Sequence, residues 1–192
     1  MTARTIIFFS YPLGGKDNHS LAMIDYFKKI SEPCIYVNTG ELLRNLKKSK
    51  VKSKLGKIME KGILVPDCII ESIVGSLLLN KLSDKKHLIL NGFPRDMDQA
   101  EFFSKLMNFY GRKVDVIFIK ITQKEALKRV KNRKEQKRID DKIMSLKKRF
   151  KIFKRKELSL KPFFNEHFTL SVIDGNAPKE IVRKRIMGAL KL

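Results

Sequence analysis

Six arginines and one lysine are the side chains here whose type and spacing could do chemistry: Lys16, Arg44, Arg95, Arg129, Arg133, Arg138 and Arg149. A guanidinium grips phosphate through parallel N–H donors, and a lysine brings a compact positive charge. Moving a phosphoryl group between two nucleotides spreads negative charge over several oxygens. It asks for positioned cations and needs no protein nucleophile. Of the 42 basic residues 11 are arginine and 31 lysine. Surface decoration explains the lysines well, because lysine solvates a face as readily as arginine does. The arginines need another reason.

Two short segments carry the clearest signals. Leu90-Asn91-Gly92-Phe93-Pro94-Arg95, with Gln99 just beyond, places a glycine turn and a cation after an apolar run. A buried strand delivering such a turn to its carboxyl end is how open α/β sheets build anion sites. The other segment, Ser10 to Asn18, follows the first strand-like run and contains Pro12, Gly14, Gly15 and Lys16. Its position suits a phosphate-binding loop, in which backbone N–H groups wrap a phosphate and the lysine reaches its outer oxygens. It departs from the strict Gly-x-x-x-x-Gly-Lys-Ser/Thr pattern, with Ser10 at the first glycine and Asp17 at the hydroxyl position.

These side chains must be held by a sheet. Thr5–Phe9, Cys34–Val37, His87–Leu90, Val114–Ile121 and Phe168–Ile173 are short, continuous and β-branched or aromatic, as strands covered on both faces are. Helical periods lie between them: Ser20–Ile30, Thr39–Lys48, Lys54–Lys61, Pro66–Leu82, Met97–Tyr110, Gln123–Arg133, Asp140–Phe164 and Pro178–Leu190. Ser20 is expected as a cap, and Pro66 and Pro178 in first turns. The alternation predicts an α/β fold, a doubly wound five-stranded parallel sheet. From Asn38 to Val65 helices follow one another without a strand, which predicts a small inserted helical lobe. The basic run Lys147–Lys156 carries Phe150, Ile152 and Phe153 at spacings that could face a core.

The chain is long enough for one sizeable core, at 192 residues. No apolar stretch approaches the roughly 20 residues of a spanning helix, and a strand-like run begins almost at once where a leader would stand. Cys34 and Cys68 are too few for a disulfide framework and are expected reduced and buried, in a cytoplasmic protein. His19 and His167 read as loop residues and His87 as a strand-edge residue. The net charge of +22 favours contact with polyanions.

Taken in order along the whole chain, these segments resemble the adenylate kinase family of nucleoside monophosphate kinases. The resemblance rests on the Ser10–Asn18 loop, Thr39-Gly40-Glu41-Leu42-Leu43-Arg44, Gly62 to Asp67 and Asn91 to Arg95 with Gln99. It continues through Leu127 to Arg133, Arg138-Ile139-Asp140-Asp141 and Lys148-Arg149-Phe150. It implies a P-loop NTPase-like single domain, with core 1–37 and 66–192, a monophosphate-binding lobe 38–65 and a short lid 132–138. It implies that Lys16, Arg95, Arg133, Arg138 and Arg149 surround the transferred group. ATP would meet Pro12, Gly14, Gly15, Lys16, Asp17, Asn18, Arg129 and Asn176, with Arg129 against the base. AMP would meet Thr39, Gly40, Arg44, Val65, Gly92, Arg95 and Gln99. The same resemblance implies Mg2+ held through water near Glu41 and Asn91, ADP as product, no membrane and a monomer.

Three departures from the family's pattern stand out. Leu13 stands at a glycine, Asp17 and Asn18 stand at a glycine and a threonine, and Asn91 stands at the aspartate that orders magnesium-bound water. All three touch the donor side. Two other readings therefore stay open: a nucleotide-binding pseudoenzyme on the same fold, and a basic RNA- or ribosome-associated module, since nucleic acid is possible but not favoured.

Overall fold

A computed structural model of the chain describes residues 2–45, 65–132 and 143–192. Five strands, β1 (Thr5–Ser10), β2 (Cys34–Asn38), β3 (His87–Asn91), β4 (Val114–Lys120) and β5 (Thr169–Asp174), form one sheet in the order β2-β3-β1-β4-β5. All neighbours pair in parallel. The described helices are α1 (Lys16–Lys29), α2 (Thr39–Asn45), α3 (Asp67–Lys81), α4 (Met97–Phe109), α5 (Gln123–Asn132), α6 (Ile143–His167) and α7 (Lys179–Leu190). The expected doubly wound architecture is what is found. The chain passes from β1 to β2 on one side, returns to β3 beside β1, and then crosses to β4 and β5 on the other side. The carboxyl ends of β1 and β3 therefore lie at the switch point where such sheets bind ligands.

Alternating strand residues feed two cores. Ile6, Phe8, Ile89, Ile117 and Ile119 pack under α1 and α7 through Met23, Phe27, Val182 and Ile186. Ile7, Phe9, Leu88, Leu90, Val116 and Phe118 pack under α3, α4 and α6 through Val74, Leu78, Phe103 and Phe164. Each such fully buried side chain stabilises by about 1.5–3 kcal/mol relative to exposure. The central strands β1 and β3 are buried along their whole length, covered on both faces, whereas the edge strand β5 is largely exposed or half-buried.

Several local expectations are corrected. The helix α1 starts at Lys16, not at a Ser20 cap: Gly15, at φ 88°, turns the chain directly into the helix, and Ser20 Oγ instead donates to Asp17 O at 3.0 Å. Pro66 and Pro178 sit at the N-caps of α3 and α7, one residue outside the first turn. The helix α6 runs through Pro162, as the expected span to Phe164 does, because burial of Phe164 outweighs one lost backbone hydrogen bond; it ends three residues later than expected, at His167. Phe150 and Phe153 pack inward as expected, whereas Ile152 is exposed. Cys68 is exposed, on the outer side of the first turn of α3. The expected helix Lys54–Lys61 lies outside the described residues.

Candidate active site

The loop from Ser10 to Gly15 closes on itself through Gly14 N donating to Tyr11 O at 2.9 Å. A Cβ on Gly14 would stand 2.8 Å from Ser10 Cβ and 3.0 Å from Tyr11 O, so only glycine fits. Leu13 adopts φ 64°, a left-handed conformation costing a side-chain-bearing residue roughly 1–2 kcal/mol. The next residues open α1, whose first-turn N–H groups and positive dipole end favour an anion. Tyr11 anchors the loop from behind. Its ring packs on Phe118, Phe150 and Phe153, and its hydroxyl donates a short hydrogen bond to Glu157 on α6. Burial and that carboxylate raise the Tyr11 pKa, so the hydroxyl keeps its proton.

Beside the loop lies a cavity of about 710 Å³, in the range that holds a nucleotide. Pro12, Gly14, Gly15, Lys16, Asp17, Asn18, Arg129 and Asn176 all line it, and Arg149 of α6 joins them. Arg129 is fixed on three sides: Nε to Glu125 Oε1 at 2.9 Å, Nη1 to Leu13 O at 3.0 Å and Nη2 to Gly175 O at 2.6 Å. A guanidinium pinned this way is a rigid plane suited to stacking on an aromatic base. Asn176 ties the β5–α7 loop to the start of α5, its Oδ1 accepting from Thr122 N at 2.9 Å.

At the inner end Lys16 Nζ donates to Asp17 Oδ1 at 2.8 Å and to Asn91 Oδ1 at 2.5 Å. Asn91 is fully buried at the end of β3, and its Nδ2 reaches Asp17 Oδ1 at 2.7 Å and Tyr36 Oη at 2.8 Å. One residue on, a second cluster begins. Gly92 O accepts from Thr39 Oγ1 at 2.8 Å and Arg95 Nε at 2.7 Å. Gly92 has φ 82°, and a Cβ there would lie 3.0 Å from Arg95 Nη2 and 3.4 Å from Thr39 Oγ1. Gln99 holds the Arg95 backbone, Oε1 accepting from Arg95 N at 2.9 Å. Its two amide hydrogens go to Asp67 Oδ1 at 2.5 Å and Asp96 Oδ2 at 3.2 Å, so its whole donor capacity is used internally.

Of the remaining expected residues, Gly40 and Arg44 fall on α2, Glu41 is exposed in its first turn, and Val65 is buried beside the core. Arg133, Arg138, Asp140 and Asp141 lie outside the described residues.

Sequence reasoning missed three residues. His19, read as a loop residue, is buried in α1 and lines the cavity. Its Nδ1 is buried without a hydrogen-bond partner among the described residues. Burial, with Arg183 and Arg129 nearby, holds its pKa down at about 4. Lys156 of α6 lies 3.8 Å from Asp96, and burial lowers its pKa. Glu157 binds both Tyr11 and Lys120. It is the single acid in the basic stretch from Lys147 to Lys161, a signal that could have marked it. His87 heads β3, stacked on Phe27 and hydrogen-bonded to Glu32, far from the loop.

The family model for adenylate kinase matches residues 12–169. The adenylate kinase of Porphyromonas gingivalis is 29% identical over 187 residues, covering 94% of this chain and 92% of that protein. That of Thermus thermophilus is 28% identical over 193 residues, covering 97% of each. That of Trichodesmium erythraeum is 29% identical, covering 94% of each. With the parallel sheet, the loop at the end of β1 and the Gly92–Arg95 turn at the end of β3, the chain belongs to the adenylate kinase family of phosphotransferases.

Proposed function

We propose that the chain catalyses reversible phosphoryl transfer from Mg-ATP to AMP, giving two ADP, as a monomer in the cytoplasm. The supporting observation is the abutment of two phosphate-suited clusters across one peptide unit. Lys16 is bonded to the Asn91 side chain on one side, and Arg95 and Thr39 are bonded to Gly92 O on the other. The donor triphosphate lies in the cavity against the loop N–H groups and Lys16, with its base beside Arg129 and Asn176. The acceptor phosphate lies at Arg95 and Arg44. Thr39, Gly40, Val65 and Gly92 shape its pocket, and Gln99 acts by holding Arg95. The acceptor oxygen attacks in line; Lys16, Arg95 and Arg149 offset the charge that spreads at that moment. The lobe 38–65 and the lid 132–138, the latter bringing Arg133 and Arg138, exclude water.

Among the described residues no group of three or more His, Cys, Asp or Glu could hold a metal ion by itself. The carboxylate of Asp17, lining the cavity beside Lys16, fits magnesium, which usually keeps its waters and rides on nucleotide phosphates with one or two carboxylates nearby. When bound it would neutralise phosphate oxygens; Asp17, which lines the cavity, would meet its waters, with Asn91 behind holding Asp17 and Glu41 on α2 as a further carboxylate. Initial rates with Mg-ATP and AMP, CMP, UMP or GMP test the reading, with AMP expected to be the preferred acceptor and ADP the product. Equal absence of ADP formation with all four would contradict it.

A further inference from the structure

Two of the chain's departures from its family's pattern meet in space. Asp17 opens α1 and Asn91 ends β3, 74 positions apart, yet Asn91 Nδ2 donates to Asp17 Oδ1 at 2.7 Å. Lys16 Nζ bridges the pair, 2.8 Å from Asp17 Oδ1 and 2.5 Å from Asn91 Oδ1. An aspartate at 91 would set two carboxylates within hydrogen-bond distance in a site where Asn91 is fully buried, and like charges so placed repel strongly. An amide removes that repulsion and adds a donor. Asn91 is itself held, with Tyr36 Oη at 2.8 Å and Ser20 Oγ at 3.3 Å from Nδ2.

We infer that Asp17 and Asn91 are one compensated exchange: the carboxylate beside the phosphate lysine has moved from the strand end to the first turn of α1, and Asp17 meets the water shell of nucleotide-bound magnesium. Asp17 lines the cavity, whereas Asn91 sits behind it. Charge count at the strand–loop junction is unchanged by the exchange, and only the address of the carboxylate differs. Asp17 is thus a positioning residue for the metal, and Asn91 is the clamp that orients it. The magnesium part rests on the donor-site reading above, while the pairing stands on the geometry alone.

The test compares wild type, Asp17→Asn, Asn91→Asp and the double exchange. In thermal melts without nucleotide, Asn91→Asp lowers Tm by about 3 °C or more, and the double exchange recovers most of that loss. In calorimetric titration with ATP, with magnesium or with EDTA, wild type gains affinity from magnesium. Asp17→Asn loses that gain by roughly tenfold, and the double exchange restores it. Additive Tm changes would overturn the pairing. Asp17→Asn raising ATP affinity equally with and without magnesium would overturn the metal role, marking Asp17 as a competitor of phosphate for Lys16. A wild type that binds no ATP at all contradicts the donor-site reading and the metal role with it, and the melts still decide the pairing.

Discussion

At position 13 the chain keeps a leucine in a backbone conformation that suits glycine, and two terms of similar size compete there. The φ of 64° costs roughly 1–2 kcal/mol; the side chain packs partly against the larger core and returns about as much. Leu13→Gly relieves the first term and loses the second, so urea unfolding should change by less than about 1 kcal/mol. Leu13→Ala keeps the strain and loses the packing, and should destabilise by about 1 kcal/mol or more. Lys16, Gly92 and Arg95 were legible from sequence because glycine, turn and cation follow one another in the chain. The Asp17–Asn91 pair was not, since 74 positions separate its members and only the folded sheet joins them. His19 escaped for a similar reason, as its surroundings come from α5 and α7.

The β5–α7 connection shows what the elements must do to hold the donor cavity. Gly175 N donates to Lys120 O at 2.8 Å, seating the loop against the end of β4. A Cβ on Gly175 would stand 2.5 Å from Ile119 Cγ2 and 2.9 Å from Ile121 Cγ2, both on buried, packed side chains. Gly175→Ala should therefore cost about 1–3 kcal/mol in unfolding free energy. It should also weaken ATP binding, because Gly175 O and Asn176 orient Arg129 and the start of α5. All five strands are readable as mostly apolar runs, although β4 carries Asp115 and the partly exposed β5 carries Ser171. Helix boundaries are read less well: Gly15 starts α1 four residues earlier than Ser20 suggested, and α6 ends at His167, three residues beyond Phe164. Both outcomes depend on tertiary packing that local preference does not encode.

At the scale of the molecule, charge and protons set how stability varies with pH. His19 is held at about 4 against an ordinary value of 6.5, by burial first and then by Arg183 and Arg129. Between those values the unfolded chain binds a proton that the folded chain does not, so stability falls as pH drops through that window. The loss from this group is complete below about pH 4 and is on the order of 3 kcal/mol. His87, lowered chiefly by burial, acts with the same sign; Asp96 and Asp115, raised by burial, act against it. His19→Gln should flatten the decline in unfolding midpoint between pH 6.5 and 4, and an unchanged slope would assign it to other groups. The surplus of lysines leaves the fold itself legible, and no described helix is long and apolar enough to cross a membrane. The central claim is that cations at the carboxyl ends of the neighbouring strands β1 and β3 act on one phosphoryl group, and the most direct measurement is the rate of AMP-dependent ADP formation in Lys16→Met and Arg95→Ala. Each is predicted to lose roughly 100-fold or more in kcat/KM while melting near the wild-type Tm; rates equal to wild type in both would contradict the account.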